Sequence, residues 1–174
     1  YLDLFTRRRT DGIAIVGCRL TKEEIARLEL FLERGVPIVM TREKGWEDDL
    51  TEALRKQSGF VEIDTYEGAR MAVNYLISQG HRRIGALLTV TRDQLEKDPR
   101  TLGYRQALLE NGIPFDEQLI VSDLDTTKSA GYSGMKELLR RETGCTAVFA
   151  YNDVIAIGAI ATCRGEGLRL PQDI

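Results

Sequence analysis

No run of apolar residues in this sequence approaches the ~20 needed to cross a bilayer. Its opening, YLDLFTRRRT, also lacks the charged-then-apolar order of a signal peptide. There is no basic excess: 24 Lys plus Arg stand against 27 Asp plus Glu, for a net charge of −3. A domain that grips DNA by its phosphates carries a clear positive surplus, so this chain alone is a poor DNA binder. Cysteine is scarce, and Cys18, Cys145 and Cys163 lie far apart with no CxxC among them. Neither a zinc knuckle nor a thioredoxin-type site is written here. An odd number of separated cysteines reads as reduced thiols in a cytosolic protein, and no Asn-x-Ser/Thr sequon occurs.

Enzyme motifs are missing too. The sequence has no G-x-G-x-x-G after a strand, no G-x-x-x-x-G-K-[ST], no H-E-x-x-H and no G-x-S-x-G, so no cofactor is expected. The single histidine, His81, falls just past a predicted helix end, where it caps rather than catalyses. With 43% hydrophobic and 29% charged among 174 residues, the composition is that of a globular protein with room for one ordinary domain or two small lobes.

The hydrophobic pattern alternates between runs and helical spacing. Ile13–Gly17 reads as a strand buried on both faces. Thr21-Lys22-Glu23-Glu24 fits a capping box, followed by Ile25, Leu28 and Leu32 on one stripe and Gly35 as the stop. Pro37–Met40 is the next strand, and residues 42–59 are polar, with a helical turn or two around Leu50–Leu54. Phe60–Ile63 reads as a strand, and Asp64 opens a helix with Ala69, Ala72, Val73, Leu76 and Ile77 on one face. Strands follow at Ile84–Thr89, Leu119–Ser122 and Ala147–Tyr151, with helices from Asp98-Pro99 to Asn111-Gly112, over 128–141 and over 153–164. Six strands alternating with helices predict an α/β fold, with parallel sheets, helices on both faces and right-handed crossovers. Both ends look cut: Tyr1 to Arg9 resembles the last turns of a helix, and Pro171–Ile174 ends where another strand is due.

One motif invites an enzymatic reading. Ser122–Thr127 matches the D-x-D-x-[TV] signature of haloacid-dehalogenase-like phosphatases, with Asp123 as nucleophile, Asp125 as general acid and magnesium between them. That chemistry also needs a later lysine and an acidic pair at another strand end, and Asn152-Asp153 is the sole acidic strand end that follows. A polar strand-to-helix loop is the better reading. In open parallel sheets, ligands sit beyond the carboxyl ends of the strands. The residues there are Thr41-Arg42, Asp64-Thr65, Thr89–Arg92, Asp125-Thr126 and Asn152-Asp153, groups that hydrogen-bond a polyol or another polar metabolite. Arg100 stands at a helix start, where the dipole disfavours a cation, which suggests a ligand-gripping guanidinium. Asn152 and Asp153 also suit a plain N-cap. The helix after them, Val154–Ala161, is apolar all round and calls for cover from its own core or from a second subunit.

The segments YEGARMAVNYLISQGHRRIGALL (66–88), RTLGYRQALLENGI (100–113), AVFAYNDVIAIGAI (147–160) and GLRLPQDI (167–174) resemble the lactose/galactose-repressor-type regulators. DGIAIVG (11–17) and VPIVM (36–40) match earlier strands of that family. The resemblance implies the effector-binding and dimerisation region of a bacterial transcription factor, in the periplasmic-binding-protein-like fold. Two Rossmann-like lobes would hold a sugar-like small molecule between them, with residues 1–80 in the amino-terminal lobe and 81–174 in the carboxy-terminal lobe. By position, Arg100 matches the arginine that grips the effector, and Asn152 and Asp153 match a polar pair at the cleft mouth. Thr126 stands near a place where some members put a stacking aromatic, which disfavours flat, purine-like effectors. Asp64 and Thr89 join the expected effector set as strand-end residues. Ile157 and Ile160 are expected at a homodimer interface. Operator DNA would be met only through a headpiece that this sequence does not contain. A periplasmic sugar-transport protein of the same fold is the alternative, and the unpaired cysteines, GHRRI and PQDI argue for the regulator.

Overall fold

A computed structural model describes residues 10–17, 20–44 and 50–174; the helix expected at the start and Cys18 lie outside them. The chain divides into two compact units, Tyr1–Asp64 and Thr65–Ile174. In the first unit, β1 (Ile13–Ile15), α1 (Lys22–Glu33), β2 (Ile38–Glu43), α2 (Glu52–Gln57) and β3 (Gly59–Ile63) follow one another. The expected capping box starts α1: Glu24 N–H donates to Thr21 Oγ1 at 3.2 Å, and Thr21 N–H donates to the Glu24 carboxylate at 2.8 Å. The Thr21 N–H, joined by the Thr21 hydroxyl donating to the same oxygen at 2.9 Å, holds the Glu24 carboxyl below the usual carboxylate range. Ile25, Leu28 and Phe31 pack down onto Ile13, Ile38, Met40 and Leu54 to form the core of the unit. The buried stripe runs through Phe31, and Leu32 is only half-buried.

The three strands are parallel, in the order β1-β2-β3. Each crossover therefore steps one strand in the same direction. Right-handed crossovers that all step the same way put their helices on the same face. The other face carries Val39, Val61 and Ile63, each about half exposed. Helices on both faces, as the alternation alone implied, are thus not found in this unit among the described residues. Nor is β1 buried on both faces, since Ala14 is exposed.

The second unit holds α3 (Thr65–Ser78), β4 (Ile84–Leu87), α4 (Pro99–Glu110), β5 (Ile120–Val121), α5 (Lys128–Arg140), β6 (Ala147–Ala150) and α6 (Asp153–Gly165). The division expected at residue 80 does not coincide with this one, because α3 packs along α4 and so belongs with the second unit. Its sheet is parallel with the order β5-β4-β6. The chain steps from β4 to β5 and then back across β4 to β6, so successive crossovers fall on opposite faces. Ile84, Ala86 and Leu88 meet α3 and α4 through Val73, Tyr104 and Leu108, while Leu87 meets α5 and α6 through Met135, Leu138 and Ile155. This alternation is the period of two expected of a strand covered on both sides. Two strands are shorter than their apolar runs, β4 ending at Leu87 and β5 spanning two residues, and Ala72 of α3 faces solvent.

Candidate functional site

The reversal of strand order around β4 makes the carboxyl ends of the second sheet a topological switch point, where an open α/β sheet forms its crevice. The segments leaving the three strands are laced together there by their backbones. Leu88 N–H donates to Val121 O at 2.8 Å, Asp123 N–H to Val90 O at 2.8 Å, Leu124 N–H to Leu88 O at 3.2 Å and Tyr151 N–H to Leu87 O at 2.9 Å. Half-buried Thr89 lies within this seam.

The start of α4 is tied to the same edge. Asp98 is its N-cap, with Pro99 in the first turn as the sequence predicts. Buried Asp98 accepts from Thr101 N–H and Thr101 Oγ1–H on Oδ2, both at 2.8 Å. Its other oxygen, Oδ1, accepts from the Tyr151 hydroxyl at 3.0 Å. That hydroxyl in turn accepts from Arg100 Nη1 at 3.3 Å, and the Arg100 guanidinium lies over the Tyr151 ring, 4.5 Å from its centroid. The positive helix end disfavours a cation, but the negative ring face and the carboxylate two residues earlier both favour one. Arg100 therefore stands where the sequence places it, against the ring and the hydroxyl of Tyr151, two contacts that periodicity does not reveal.

The remaining candidates divide by place. Asn152 caps α6, its Oδ1 accepting from Ile155 N–H at 3.0 Å, and Asp153 is exposed in the first turn. Thr126 is exposed in the loop before α5, whose cap is Thr127, accepting from Ala130 N–H at 3.1 Å. Asp123 and Asp125 are exposed in the same loop, with Asp123 in the left-handed backbone region at φ 64°. Among the described residues, no group of three or more His, Cys, Asp or Glu side chains could hold a metal ion. In the first unit, Asp64 pairs with Lys44 at 2.9 Å. There too, Thr41 Oγ1 accepts from Gly17 N–H at 3.0 Å, and Arg42 pairs with Glu62 at 2.6 Å over the Phe60 ring. The structure thus gathers Thr89 and Arg100 at one edge with Asn152, while Asp64 belongs to the other unit.

The sequence marks Asp98 only as a cap and Tyr151 only as the end of a strand. The available signal was an aromatic residue standing between a strand end and an N-cap Asn, on the edge where ligands bind. His81 closes α3 as expected: its N–H donates to Leu76 O at 3.2 Å, and its ring Nδ1 lies 3.0 Å from Thr146 Oγ1. Cys145 and Cys163 are free thiols, and burial pushes both above the usual thiol range. On α6, Ile155, Gly158, Ala159, Thr162 and Cys163 are buried, whereas Ile157 and Ile160 are 48% and 40% exposed. Among the described residues, the apolar girdle of this helix is therefore covered fully on one side only.

Residues 73–174 match the family described as a periplasmic binding protein-like domain. The chain is 33% identical over 175 residues to the HTH-type transcriptional repressor PurR of Pectobacterium carotovorum, an alignment covering 100% of this chain and 48% of that protein. Among solved structures, it resembles a complex of the transcriptional regulator CelR with cellobiose at 32% identity and a TM-score of 0.67, covering 99% of this chain and 49% of that one. It also resembles a LacI family transcriptional regulator from Enterococcus faecium with bound ribose, at 27% identity and a TM-score of 0.71, covering 99% and 60%. The chain spans about half the length of the curated relatives it matches.

Proposed function

The chain belongs to the periplasmic-binding-protein-like domain family, among the LacI-type transcriptional regulators, and from that premise we propose that it is the effector-sensing and dimerisation region of a cytoplasmic transcriptional regulator. The effector is a sugar or a related polyol, taken at the strand-end edge of the second unit. The observation that carries this reading is the Arg100 guanidinium held over Tyr151 beside Asp98 at the switch point of the sheet. A planar fork of donors suits adjacent hydroxyls or a carboxylate, and two relatives of the same fold are described with cellobiose and with ribose. Thr89 and Asn152 add a hydroxyl and an amide to that edge, and Thr126 and Asp153 add exposed polar groups.

Effector binding shifts the population of the lobe arrangements and so the DNA affinity of an attached headpiece. This acidic chain would meet operator DNA only through such a headpiece. The relatives being transcriptional regulators favours this reading over a transport protein of the same fold. No helix among the described residues is long and apolar enough to cross a membrane. Ile157 and Ile160 supply the exposed apolar face for a homodimer about α6.

Calorimetric titration of the protein with a panel including cellobiose and ribose tests the site. Arg100→Ala loses a charge-assisted hydrogen bond and weakens effector binding by about 1.5–3 kcal/mol, or roughly ten- to a hundredfold. Lysine at this position restores little, being a point charge. Stability falls slightly, because the variant loses a cation–π contact of about 0.5–1 kcal/mol and the bond to the Tyr151 hydroxyl, of which relief of a dipole clash of about 0.3–1 kcal/mol returns only part. An Arg100→Ala dissociation constant within twofold of wild type overturns the assignment. Ile157→Asp, at a half-exposed position, should leave the protein folded and monomeric in sedimentation. A folded variant that stays dimeric refutes the interface.

A further inference from the structure

Resting on that reading of Arg100, we infer that Tyr151 is the residue that positions the effector-gripping guanidinium, acting as a rigid seat rather than as a ligand contact. An arginine side chain is long and loses much rotamer freedom when fixed, so a preformed grip needs a built support. Tyr151 can supply one because its own place is settled twice. Its backbone N–H donates to Leu87 O at 2.9 Å, and its ring packs against the core cluster beneath α3 and α4.

From that fixed place it touches Arg100 in two ways. The ring face lies under the guanidinium, 4.5 Å from Cζ to centroid. The hydroxyl bridges, donating to Asp98 Oδ1 at 3.0 Å while accepting from Arg100 Nη1 at 3.3 Å. A phenol suits this task because its one oxygen both donates and accepts at the end of a stiff ring. The carboxylate it leans on is itself anchored, since Asp98 Oδ2 accepts both the backbone N–H and the hydroxyl of Thr101. The result is a continuous line from the N-cap of α4 to the end of β6, with Arg100 aimed by it.

Two measurements test this. The first needs no effector: the side-chain Nε–H signal of Arg100, assigned by its loss in Arg100→Lys, reports rigidity through its heteronuclear NOE. Wild type should show a backbone-like value. Tyr151→Phe, which keeps the ring and its packing, should lower it, and Tyr151→Leu should lower it further while also removing the ring-current shift. An NOE unchanged in Tyr151→Phe overturns the proposal.

The second is a double-mutant cycle read by titration with cellobiose and with ribose. Tyr151→Phe should weaken binding about two- to tenfold, the equivalent of one hydrogen bond. In the Arg100→Ala background the same change should have almost no further effect, because Tyr151 acts through Arg100. An equal penalty in both backgrounds makes Tyr151 an independent contact and overturns the positioning role. Arg100→Ala titrating like wild type overturns instead the effector reading on which the role rests.

Discussion

Replacing Gly158 with alanine should unfold the second unit more readily, although alanine is the better helix former. Gly158 lies where α6 crosses α5. A Cβ built there falls well inside van der Waals distance of the Lys128 carbonyl oxygen and 2.6 Å from Tyr132 N. The crossing is reciprocal, since a Cβ on Gly131 of α5 would press on the Ile155 carbonyl. The obstacles are backbone atoms of helices, and no side chain can rotate away to make room. The helices must therefore separate, which lengthens the 2.8 Å bond from Thr162 Oγ1 to Tyr132 O and loosens the Met135, Leu138 and Ile155 core. Overpacking of this kind costs about 1–3 kcal/mol, and the strained hydrogen bond adds about 1 kcal/mol. Helix propensity returns about 1 kcal/mol. The net loss of about 2 kcal/mol should lower the melting temperature of a unit this size by roughly 9 °C. Gly68 of α3 is the control, being exposed and helical with nothing within 4 Å of a built Cβ. Gly68→Ala should raise stability by about 0.5–1 kcal/mol. Thermal unfolding of both variants by circular dichroism decides the point. If Gly158→Ala melts at or above wild type, the close approach of α5 and α6 is not what the packing argument requires.

Three further outcomes follow from other positions. Tyr104 is fully buried and its hydroxyl donates to Ile84 O at 2.7 Å, so Tyr104→Phe should cost about 1–2 kcal/mol, seen as a lower urea midpoint at unchanged slope; an unshifted midpoint would refute it. Asn152→Ala removes the α6 cap and should cost about 1 kcal/mol, whereas Asn152→Asp keeps an acceptor and should stay near wild type; equal losses for both would argue against capping. Arg140 first, and then Arg141, hold the Glu137 carboxyl down to about 2 from its ordinary 4.5. A carboxyl depressed in the folded state stabilises above the unfolded value and loses that contribution as pH falls through the folded one. The Glu137 contribution should therefore be complete above about pH 4.5 and vanish toward pH 2. Carboxyl NMR that finds Glu137 titrating near 4.5 would remove it.

Much of this molecule was legible locally. The alternation of strands and helices, the Thr21 and Asp98 caps, the helical stop at His81 and the place of Arg100 at a helix start all rest on bonds and periodicities spanning a few residues, which a linear reading can see. The motifs that carry the family likeness are of the same short-range kind. Only the tertiary structure decided which faces are covered, because coverage follows from strand order. A sheet whose crossovers all step one way leaves Val39, Val61 and Ile63 about half exposed among the described residues, while a reversal around β4 buries both sides of the second sheet. Tertiary structure also decided that Gly158 meets a backbone and that Tyr151 meets an arginine 51 positions earlier in the chain. Contacts across that distance depend on where two crossovers return the chain. A side chain's own neighbours in sequence do not encode that geometry, since it belongs to the packing of whole elements.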